Sequence, residues 1–399
     1  MTAYQRPVDA AALAQNFRVF ANADCASEPL YATLSRAIAG DREMLELLLL
    51  APYPQRRPVL LFAATHDLLL AGAAHPLARF YRSVAPAGDV RLDVDHAFAA
   101  FADFCVQQRD RLVVSLRERT MQTNEVGRCA GLRLMLAGLE REQPLALIDV
   151  GCSAGLNLLI DRYRFHYRLP DRSVRKIGSD SAVVIPAAFE GDVSVLDGTE
   201  MPAIVGRFGI DLEPLDVRDP RDARWLRACV WPSEVERHVR LAGAIALARG
   251  VGENPARPAG ANRPPGPMQH ATREVGLDLR RGDAIDLLPG IVAAIDRDVR
   301  PVVFHSWAVS YFDREARTRF AEVVRAIVLE RDGVWISAEA TAVVPGLDAP
   351  ALAADTLPER REATLWHVTT RSADGACKVR TMARSHPHCR WIEWLAPER

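Results

Sequence analysis

The sequence lacks the features that would assign it to a membrane or to an oxidising compartment. Its longest apolar runs, such as Leu47–Ala51, are far shorter than the roughly 20 residues that a bilayer-spanning helix needs. The seven cysteines include no CxxC pair, and their odd number and scattered positions favour reduced thiols in a cytoplasmic protein. The sequence does not open with a basic and then apolar leader, so we expect no export signal.

Charge of one sign is not in excess either. The 50 Lys and Arg residues balance 51 Asp and Glu residues, and the formal net charge is -1. We therefore expect a small-molecule substrate, no membrane partner and no general affinity for nucleic acid, although a local basic groove is compatible with this balance. With 399 residues, 49% of them hydrophobic, the chain can bury one large core or two unequal ones.

Strand-like alternation and internal repeats are nearly absent before Glu140. Ala, Leu and Arg recur there at helical spacing, and prolines interrupt the pattern. We predict an all-helical N-terminal cap domain over residues 1–120, followed by a linking helix over 121–140. The predicted helices of the cap are Val8–Ala21, Pro29–Ala39, Arg42–Leu50, Val59–Ala71, His75–Arg82, Asp93–Cys105 and Arg109–Arg117.

The stretch after this region has the pattern of a strand, a tight turn and a helix. The apolar run Leu145–Val150 is too short for a helix, and it meets the turn Gly151–Gly155, after which an apolar-periodic segment begins at Leu156. Such a turn can present backbone N–H groups to a ligand carboxylate or phosphate. Because Asp149 lies at the end of the strand, a ligand with an amine or hydroxyl groups suits the turn better than a bare polyphosphate.

A polar cluster, Gln122–Arg128, lies just before this strand. Thr123 or Asn124 could cap the helix that follows, with Glu125 in its first turn. The same side chains could bind a substrate, since a helix placed before the first strand of such a fold often lies over the ligand crevice. Both interpretations stay open at this stage. The candidate substrate ligands in the cluster are Gln122, Asn124 and Arg128.

Beyond the central turn, predicted strands alternate with predicted helices. This alternation indicates an α/β domain over 121–399, in which a doubly wound, mainly parallel sheet carries a C-terminal antiparallel hairpin. An irregular insertion over 164–203 and a Pro- and Gly-rich loop over 250–270 interrupt it. The predicted strands are Ile204–Asp211, Leu277–Arg281, Pro301–Trp307, Gly333–Ala338, Ala363–Arg371, Ala376–Ala383 and Cys389–Leu395, and the predicted helices are Leu156–Tyr163, Asp222–Ala248 with a break near Trp231 and Pro232, Ile285–Ile295 and Asp313–Glu330.

Titratable side chains fall at the carboxyl ends of four of these strands: Asp149, Asp211, Asp283 and His305. In open α/β sheets, ligands bind beyond those ends, at the point where the strand order reverses. We therefore predict one crevice there. Asp211 is the candidate for holding a ribose diol, although Asp216 or Asp219 could do so, or could cap the next helix.

These motifs resemble those of the class I S-adenosylmethionine-dependent methyltransferases, over about Glu140 to Glu398. Asp149-Val-Gly151-Cys-Ser153-Ala-Gly155 is similar to their first motif, an acidic residue two positions before a Gly-x-Gly-x-Gly loop, with Ser153 in place of the middle glycine. Gly209-Ile-Asp211-Leu-Glu-Pro resembles their second-strand motif and Gly282-Asp283-Ala284 their adenine-side motif. The resemblance implies a Rossmann-like fold and S-adenosylmethionine as cofactor.

The resemblance also implies roles for individual residues. The Gly151–Gly155 loop and Asp149 would lie along the methionine portion, Asp211 would hold the ribose and Asp283 would receive the adenine amino group. His305 or Glu125 is the candidate base, which is needed only where the acceptor must lose a proton. The cofactor candidates are Asp149, Gly151, Ser153, Gly155, Asn157, Asp211, Asp283 and Ala284, and the acceptor side adds Ser306, Trp307 and Tyr311.

Other motifs resemble an uncharacterised bacterial family, catalogued as a domain of unknown function. This resemblance covers nearly the whole chain and implies no established reaction. The motifs are Gln122–Arg128, Cys152–Leu158 with Asp161-Arg-Tyr163, Val230-Trp-Pro232 and His386-Pro-His388.

Two other functions fit the same residues. Gly151–Gly155 matches the G-x-S-x-G elbow of α/β-hydrolases, with Ser153 as nucleophile and with Asp348 and one of His367, His386 or His388 as its partners. The helical pattern before the central strand does not favour this, because the elbow normally follows several strands of its sheet. A non-catalytic cofactor-binding module of the same fold is the second alternative. His386 and His388 share a face that could suit zinc, but a complete ligand set is not evident, so we predict no metal site.

Overall fold

A computed structural model of the chain describes residues 9–23, 25, 28–85, 96–140, 142–197, 200–251, 276–347 and 363–395. The chain forms two compact units. The first contains Met1–Thr123 and Arg218–Ala242, and the second contains Asn124–Val217 and Gly243–Arg399. The first unit therefore includes a segment, Arg218–Ala242, that the sequence pattern assigns to the α/β part.

The helices begin where the sequence supplies capping side chains or prolines. Asp9 and Asp41 accept hydrogen bonds from the first turns of their helices, and Pro58 opens another. The helices are α1 (Ala10–Asn22), α2 (Pro29–Ile38), α3 (Arg42–Leu48), α4 (Pro58–Leu70), α5 (Ala97–Gln107), α6 (Arg109–Glu118), α7 (Cys129–Ala137), α8 (Pro220–Ala228), α9 (Val235–Gly250), α10 (Ala284–Ala293) and α11 (Arg314–Arg331). The predicted break near Pro232 is confirmed, because α8 and α9 are separate helices.

Aromatic side chains form the core of the first unit. Tyr31 and Phe62 stack with ring centroids 4.3 Å apart. His66 is fully buried, with one ring nitrogen 3.0 Å from the Ala228 carbonyl oxygen and the other 2.7 Å from Ser83 Oγ. Burial lowers the pKa of His66 to about 3. This histidine is therefore a neutral core residue that joins α4 to α8.

The second unit is built on one mixed sheet of eleven strands. The strands are β1 (Leu145–Val150), β2 (Arg164–Arg168), β3 (Val174–Gly178), β4 (Val184–Glu190), β5 (Ile204–Asp211), β6 (Asp278–Arg281), β7 (Arg300–Ser306), β8 (Val334–Ala340), β9 (Thr364–Arg371), β10 (Cys377–Ser385) and β11 (Trp391–Trp394). Their order is β3-β2-β4-β11-β10-β9-β8-β7-β1-β5-β6. The predicted α/β protein with a mostly parallel sheet, C-terminal antiparallel strands and a helical N-terminal region is confirmed.

Strand β1 lies where the chain changes direction across the sheet. After β1 the chain forms β2, β3 and β4 at one edge of the sheet and then returns to form β5 and β6 on one side of β1. It later forms β7 and β8 on the other side of β1. The carboxyl ends of β1 and β7 therefore border the position at which ligands of open α/β sheets bind. Asp149 pairs with Phe304, and Val150 pairs with His305, across this boundary.

Helices cover both faces of the parallel part of the sheet. Helices α10 and α11 pack on the face that bears Ile148, Val303 and Trp335. Helix α7 lies against the opposite face, where Gly131 meets the ring of Trp366. Because successive side chains of a strand point to opposite faces, Asp149, next to Ile148, points to the α7 side.

The predicted insertion over 164–203 lies between β1 and β5, but it is not irregular throughout, because it contains strands β2, β3 and β4. Strands β2, β3 and β4 extend the sheet beyond β11, with Ala188 of β4 opposite Trp391. Strand β4 pairs with the nearby β2 on one side, and its partner on the other side, β11, comes from the far end of the chain. Strand formation depends strongly on such pairing, so the local sequence pattern does not indicate it.

The segment after the central turn also differs from the prediction. The helix predicted over Leu156–Tyr163 is present, but it is a 3-10 helix, Leu156–Arg162, with a kink at Leu159. The guanidinium of Arg207 donates to the Leu158 carbonyl and, at 2.7 Å, to Asp161 Oδ2. This contact engages a carbonyl at the kink, which accounts for the irregular helix.

Some predictions concern residues that are not described. The loop over 250–270 lies outside the described residues from position 252 onward, and so does Asp348. Among the residues that are described, none of the helices is long and apolar enough to cross a bilayer.

Candidate functional site

The turn after β1 combines three residues in the left-handed region. Gly151 has a φ of 78°, Ser153 of 53° and Gly155 of 70°. Glycine adopts this region freely, whereas a residue with a Cβ is strained there by about 1–2 kcal/mol. The turn therefore keeps a glycine-like backbone path at Ser153.

Neighbouring side chains pack directly on the glycines of this turn. A Cβ on Gly151 would lie 2.5 Å from Cβ of Ala308, and a Cβ on Gly155 would lie 2.7 Å from Cδ2 of Leu279. Both distances are well below van der Waals contact. The two glycines are thus required for protein packing at the carboxyl end of the sheet.

The backbone N–H groups of the turn are mostly engaged within the protein. Asp211 Oδ2 accepts a hydrogen bond from Ser153 N at 2.8 Å, and its Oδ1 accepts one from Glu213 N at 2.9 Å. Asn124 Oδ1 accepts one from Leu156 N at 3.2 Å. Since these donors are used, the turn offers little to a phosphate or another anion.

Asp149 is the most perturbed carboxyl group at this end of the sheet. It is 3% exposed, and its Oδ2 has no hydrogen-bond partner among the described residues. Burial and the nearby Asp211 raise the pKa of Asp149 to about 8, although Arg128 acts in the opposite direction. A buried carboxyl oxygen without a bond is costly, so it marks a position where a ligand could supply the missing donor.

A small cavity lies on the α7 side of the sheet, close to Asp149. Ser306 Oγ, at its wall, is shielded from solvent and also has no hydrogen-bond partner in the described part of the chain. The lining consists of Arg128, Cys129, Leu132, Asn157, Phe304, His305, Ser306, Ile336 and Trp366. Three predicted binding residues, Arg128, Asn157 and Ser306, thus border one space with an otherwise apolar wall.

Arg128 links this cavity to the end of the chain. Its Nε donates to the Pro387 carbonyl and its Nη1 to the Ser306 carbonyl, both at 3.0 Å. Arg128 and Pro387 are 259 residues apart, so two of the motifs that resemble the uncharacterised family meet here.

The predicted helix cap at Thr123 or Asn124 is wrong. Glu125 accepts the hydrogen bond from Gly127 N at 2.9 Å and caps a 3-10 helix, Val126–Arg128.

His305 points to the α11 side of the sheet and is fully engaged. Its Nδ1 lies 2.9 Å from Glu339 Oε1, and Trp335 Nε1 donates to its Nε2 at 3.1 Å. Because indole N–H can only donate, Nε2 is the acceptor and Nδ1 carries the proton. The predicted base role stays a prediction, and it requires one of these bonds to break.

Glu339 is a residue of this region that the sequence reasoning missed. Its Oε1 also accepts hydrogen bonds from Ala308 N at 2.9 Å and Val309 N at 3.0 Å. It lies in β8 near the carboxyl end, so the rule that selected Asp149 and Asp211 would have selected it as well. Through Ala308 it supports the side chain that packs on Gly151.

The hydrolase alternative requires a histidine side chain within hydrogen-bond distance of Ser153 Oγ. Ser153 Oγ is buried and has no hydrogen-bond partner within the described ranges. A nucleophilic serine needs a base within hydrogen-bond reach, so this arrangement does not favour acyl transfer.

The remaining predicted residues have varied surroundings. Asp283 is exposed and caps α10 by accepting from Ile285 N at 2.8 Å, while Ala284 is buried in the core under α10 and α11. Trp307 Nε1 donates to Thr364 Oγ1 at 2.7 Å, and Tyr311 is 70% exposed. Gln122 belongs to the first unit, where its Nε2 contacts Thr120 Oγ1 at 3.5 Å.

The comparisons with known proteins identify a family without assigning a reaction. A search of the curated proteins finds no match. A family model described as an uncharacterized protein conserved in bacteria matches residues 14–256 and 268–394. The chain therefore belongs to this bacterial family, domain of unknown function 2332.

Proposed function

We propose that this chain is an S-adenosylmethionine-dependent methyltransferase that acts on a small-molecule acceptor. The observation that carries the proposal is the buried Asp149 carboxyl group, with an unbonded oxygen, at the point where the strand order reverses. Asp211 and Asp283 follow at the ends of the next two strands of the sheet, β5 and β6. Three carboxyl groups along one edge of the sheet suit a ligand that carries many hydrogen-bond donors.

The donor and acceptor balance of this edge supports a cationic ligand without phosphate. The backbone N–H groups of Ser153 and Leu156 donate hydrogen bonds to side chains of the protein. Among the described residues at this edge, the polar atoms that remain without a partner are oxygens, of Asp149, Ser153 and Ser306. An ammonium group, a sulfonium and ribose hydroxyls match such acceptors, whereas the phosphates of a dinucleotide need N–H donors.

In this proposal each residue has a defined task. Asp149 would accept from the amine, and Asp211 would accept from the ribose through the second lone pair of each oxygen. Asp283 lies exposed at the end of β6, where it would accept from the adenine amino group. Bound S-adenosylmethionine supplies an activated methyl group on its sulfonium. Trp307 and Tyr311, after β7, would border the acceptor.

The protein contributes mainly alignment to such a reaction. In-line displacement needs the acceptor atom and the methyl group held within reach of each other and shielded from water. Arg128 and Asn157 border the cavity beside the edge and would orient a polar acceptor. Glu125 and His305 are the candidate bases; Glu125 Oε1 accepts from Gly127 N, and both ring nitrogens of His305 are hydrogen-bonded, so a base role requires one of these bonds to break.

Calorimetric titration tests this proposal. We expect saturable heat on titration with S-adenosylmethionine and S-adenosylhomocysteine. Above about pH 8, where Asp149 is ionised, Asp149→Asn should lose at least about tenfold in affinity, since one charged contact is removed. Asp192→Asn, at an exposed cap of the same unit, is the matched control and should bind like the wild type. Folded wild-type protein that produces no heat with either ligand at millimolar concentration would reject the proposal.

One observation favours a second candidate, the non-catalytic binding module. His305 is held by Glu339 and Trp335, and Glu125 Oε1 is held by Gly127 N, so both candidate bases have structural bonds. A module of this kind would bind the cofactor with the same dependence on Asp149. It would differ in transferring no methyl group to any member of an acceptor library.

A further inference from the structure

The hairpin of β2 and β3 forms one edge of the eleven-stranded sheet. Phe165 and Tyr167 of β2 are buried, and Tyr167 Oη donates to the Ala130 carbonyl of α7 at 2.8 Å. The alternate residues of β2 therefore point away from α7. The register pairs His166 with Lys176 of β3, so these two side chains share the outer face.

This outer face carries a local excess of positive charge. Arg164, His166 and Arg168 follow one another on the outer face of β2, with Lys176 beside them. Residues 164–178 contain five Lys or Arg, namely Arg164, Arg168, Arg172, Arg175 and Lys176, against the single acidic residue Asp171. The balanced charge of the whole chain conceals this patch.

Most of these cations are available to a partner. Arg168, Arg172 and Lys176 are exposed, while Arg164 is paired with Asp180. Arg175 pairs with Tyr167 and therefore lies on the other face of the hairpin. His166 lies among the cations of the outer face, and its Nε2 has no hydrogen-bond partner in the ranges that the structure describes. Burial lowers the pKa of His166, and the adjacent Lys176 and Arg164 lower it further. The field at this face is therefore positive.

We propose that the outer face of the β2–β3 hairpin binds the phosphate backbone of single-stranded nucleic acid. Alternate side chains of a strand are about 6.8 Å apart, so Arg164, His166 and Arg168 form a straight and evenly spaced row. A straight row of cations at this spacing fits a linear polyanion. Binding through phosphates alone carries no sequence preference.

A lipid surface fits this face less well. Proteins that bind anionic membranes combine cations with large apolar side chains that enter the bilayer. On the hairpin, Val174 is an exposed large apolar side chain, at 44%, whereas the aromatic residues Phe165 and Tyr167 are buried. The cations here lack the anchors that a membrane interaction requires.

The test measures binding of a fluorescent polyuridine RNA of about 20 nucleotides to the full chain by anisotropy, over a range of salt concentrations. The affinity should fall as salt rises, with a slope of about 3 in a double-logarithmic plot for four or five phosphate contacts. The double variant Arg168→Glu, Lys176→Glu should bind at least about tenfold more weakly and lower the slope by about 1.4.

The control is Arg314→Glu, Arg319→Glu on α11, where exposed cations alternate with acidic residues. It changes the net charge equally and should bind within about twofold of the wild type. A phosphate group bound beside His166 should also raise the pKa of this histidine through its negative charge, which ring-proton NMR detects. Absence of RNA binding at low salt, equal weakening in both double variants, or binding to phosphatidylserine vesicles without binding to RNA would overturn the proposal.

Discussion

The carboxylate of Glu339 lies 2.9 Å from Nδ1 of His305, on the face of the sheet that α11 covers. The same oxygen accepts hydrogen bonds from the backbone of Ala308 and Val309. One carboxylate thereby joins β7, β8 and the turn that packs against the loop after β1. Glu339 therefore helps to fix the shape of the candidate site, although its own buried carboxylate is not accessible to a ligand.

Replacing Glu339 by Ala should destabilise the protein by about 3 kcal/mol or more, because three buried donors lose their acceptor. The exposed Glu315, in the first turn of α11, provides a matched control, and Glu315→Ala should cost less than about 1 kcal/mol. Urea unfolding measures both values. Equal losses in the two variants would contradict the role assigned to Glu339.

Gly151→Ala should destabilise the protein more than Gly375→Ala. Both glycines have positive φ, of 78° and 83°, so both variants bear a conformational strain of about 1–2 kcal/mol. Only at Gly151 would the added Cβ also lie 2.5 Å from Ala308, whereas nothing lies within 4 Å at Gly375 among the described residues. Thermal unfolding should show a further loss of about 1–3 kcal/mol for Gly151→Ala. Similar melting temperatures would show that the turn relaxes.

Gly131→Ala and Gly290→Ala should change stability in opposite directions. Both glycines are helical, and alanine in an open helix position stabilises by about 0.5–1 kcal/mol. At Gly290 nothing is within 4 Å of an added Cβ in the described structure, while at Gly131 the Cβ would lie 2.6 Å from Cε2 of Trp366. Gly131→Ala should therefore destabilise by about 1–3 kcal/mol in urea unfolding. Stabilisation by both variants would disprove the close contact of α7 with the sheet.

Asp149 should make stability depend on pH. Its pKa is raised to about 8 in the fold, against about 4 in the unfolded chain. Its contribution is therefore complete below about pH 4 and is lost as the pH rises toward 8. Asp149→Asn stays neutral, so the free energy of unfolding of the wild type relative to this variant should fall between about pH 5 and pH 8, by at most about 1.4 kcal/mol per pH unit. A difference that is constant over this range would contradict the raised pKa.

The sequence predicted the parallel strands well because their signal is local. The runs at β1 and β7 are short, apolar and bounded by turn residues, and their burial on both faces makes this pattern continuous. The same reasoning located Asp149 and Asp211 at strand ends. It did not indicate the pairing of β4 with β11, which comes from the other end of the chain, or the kink at Leu159, which depends on Arg207.

The candidate site was predictable as a set of residues but not as an arrangement. Asp149, Asp211 and Ser153 could be selected from the strand-end rule and the glycine motif. Their bonds could not, since Asp211 accepts from the backbone of Ser153 and the Glu339 carboxylate holds both His305 and Ala308. Each of these contacts joins segments that are distant in sequence.

The sequence by itself determined the helical beginning, the alternation of strands and helices, and the carboxyl groups at the strand ends. These follow from short-range periodicity and from residue types that favour one backbone conformation. Only the tertiary structure decided the strand order, the burial that raises the pKa of Asp149, and the contact of Arg128 with Pro387. Burial and long-range hydrogen bonds depend on how distant segments pack, and no local pattern encodes that packing.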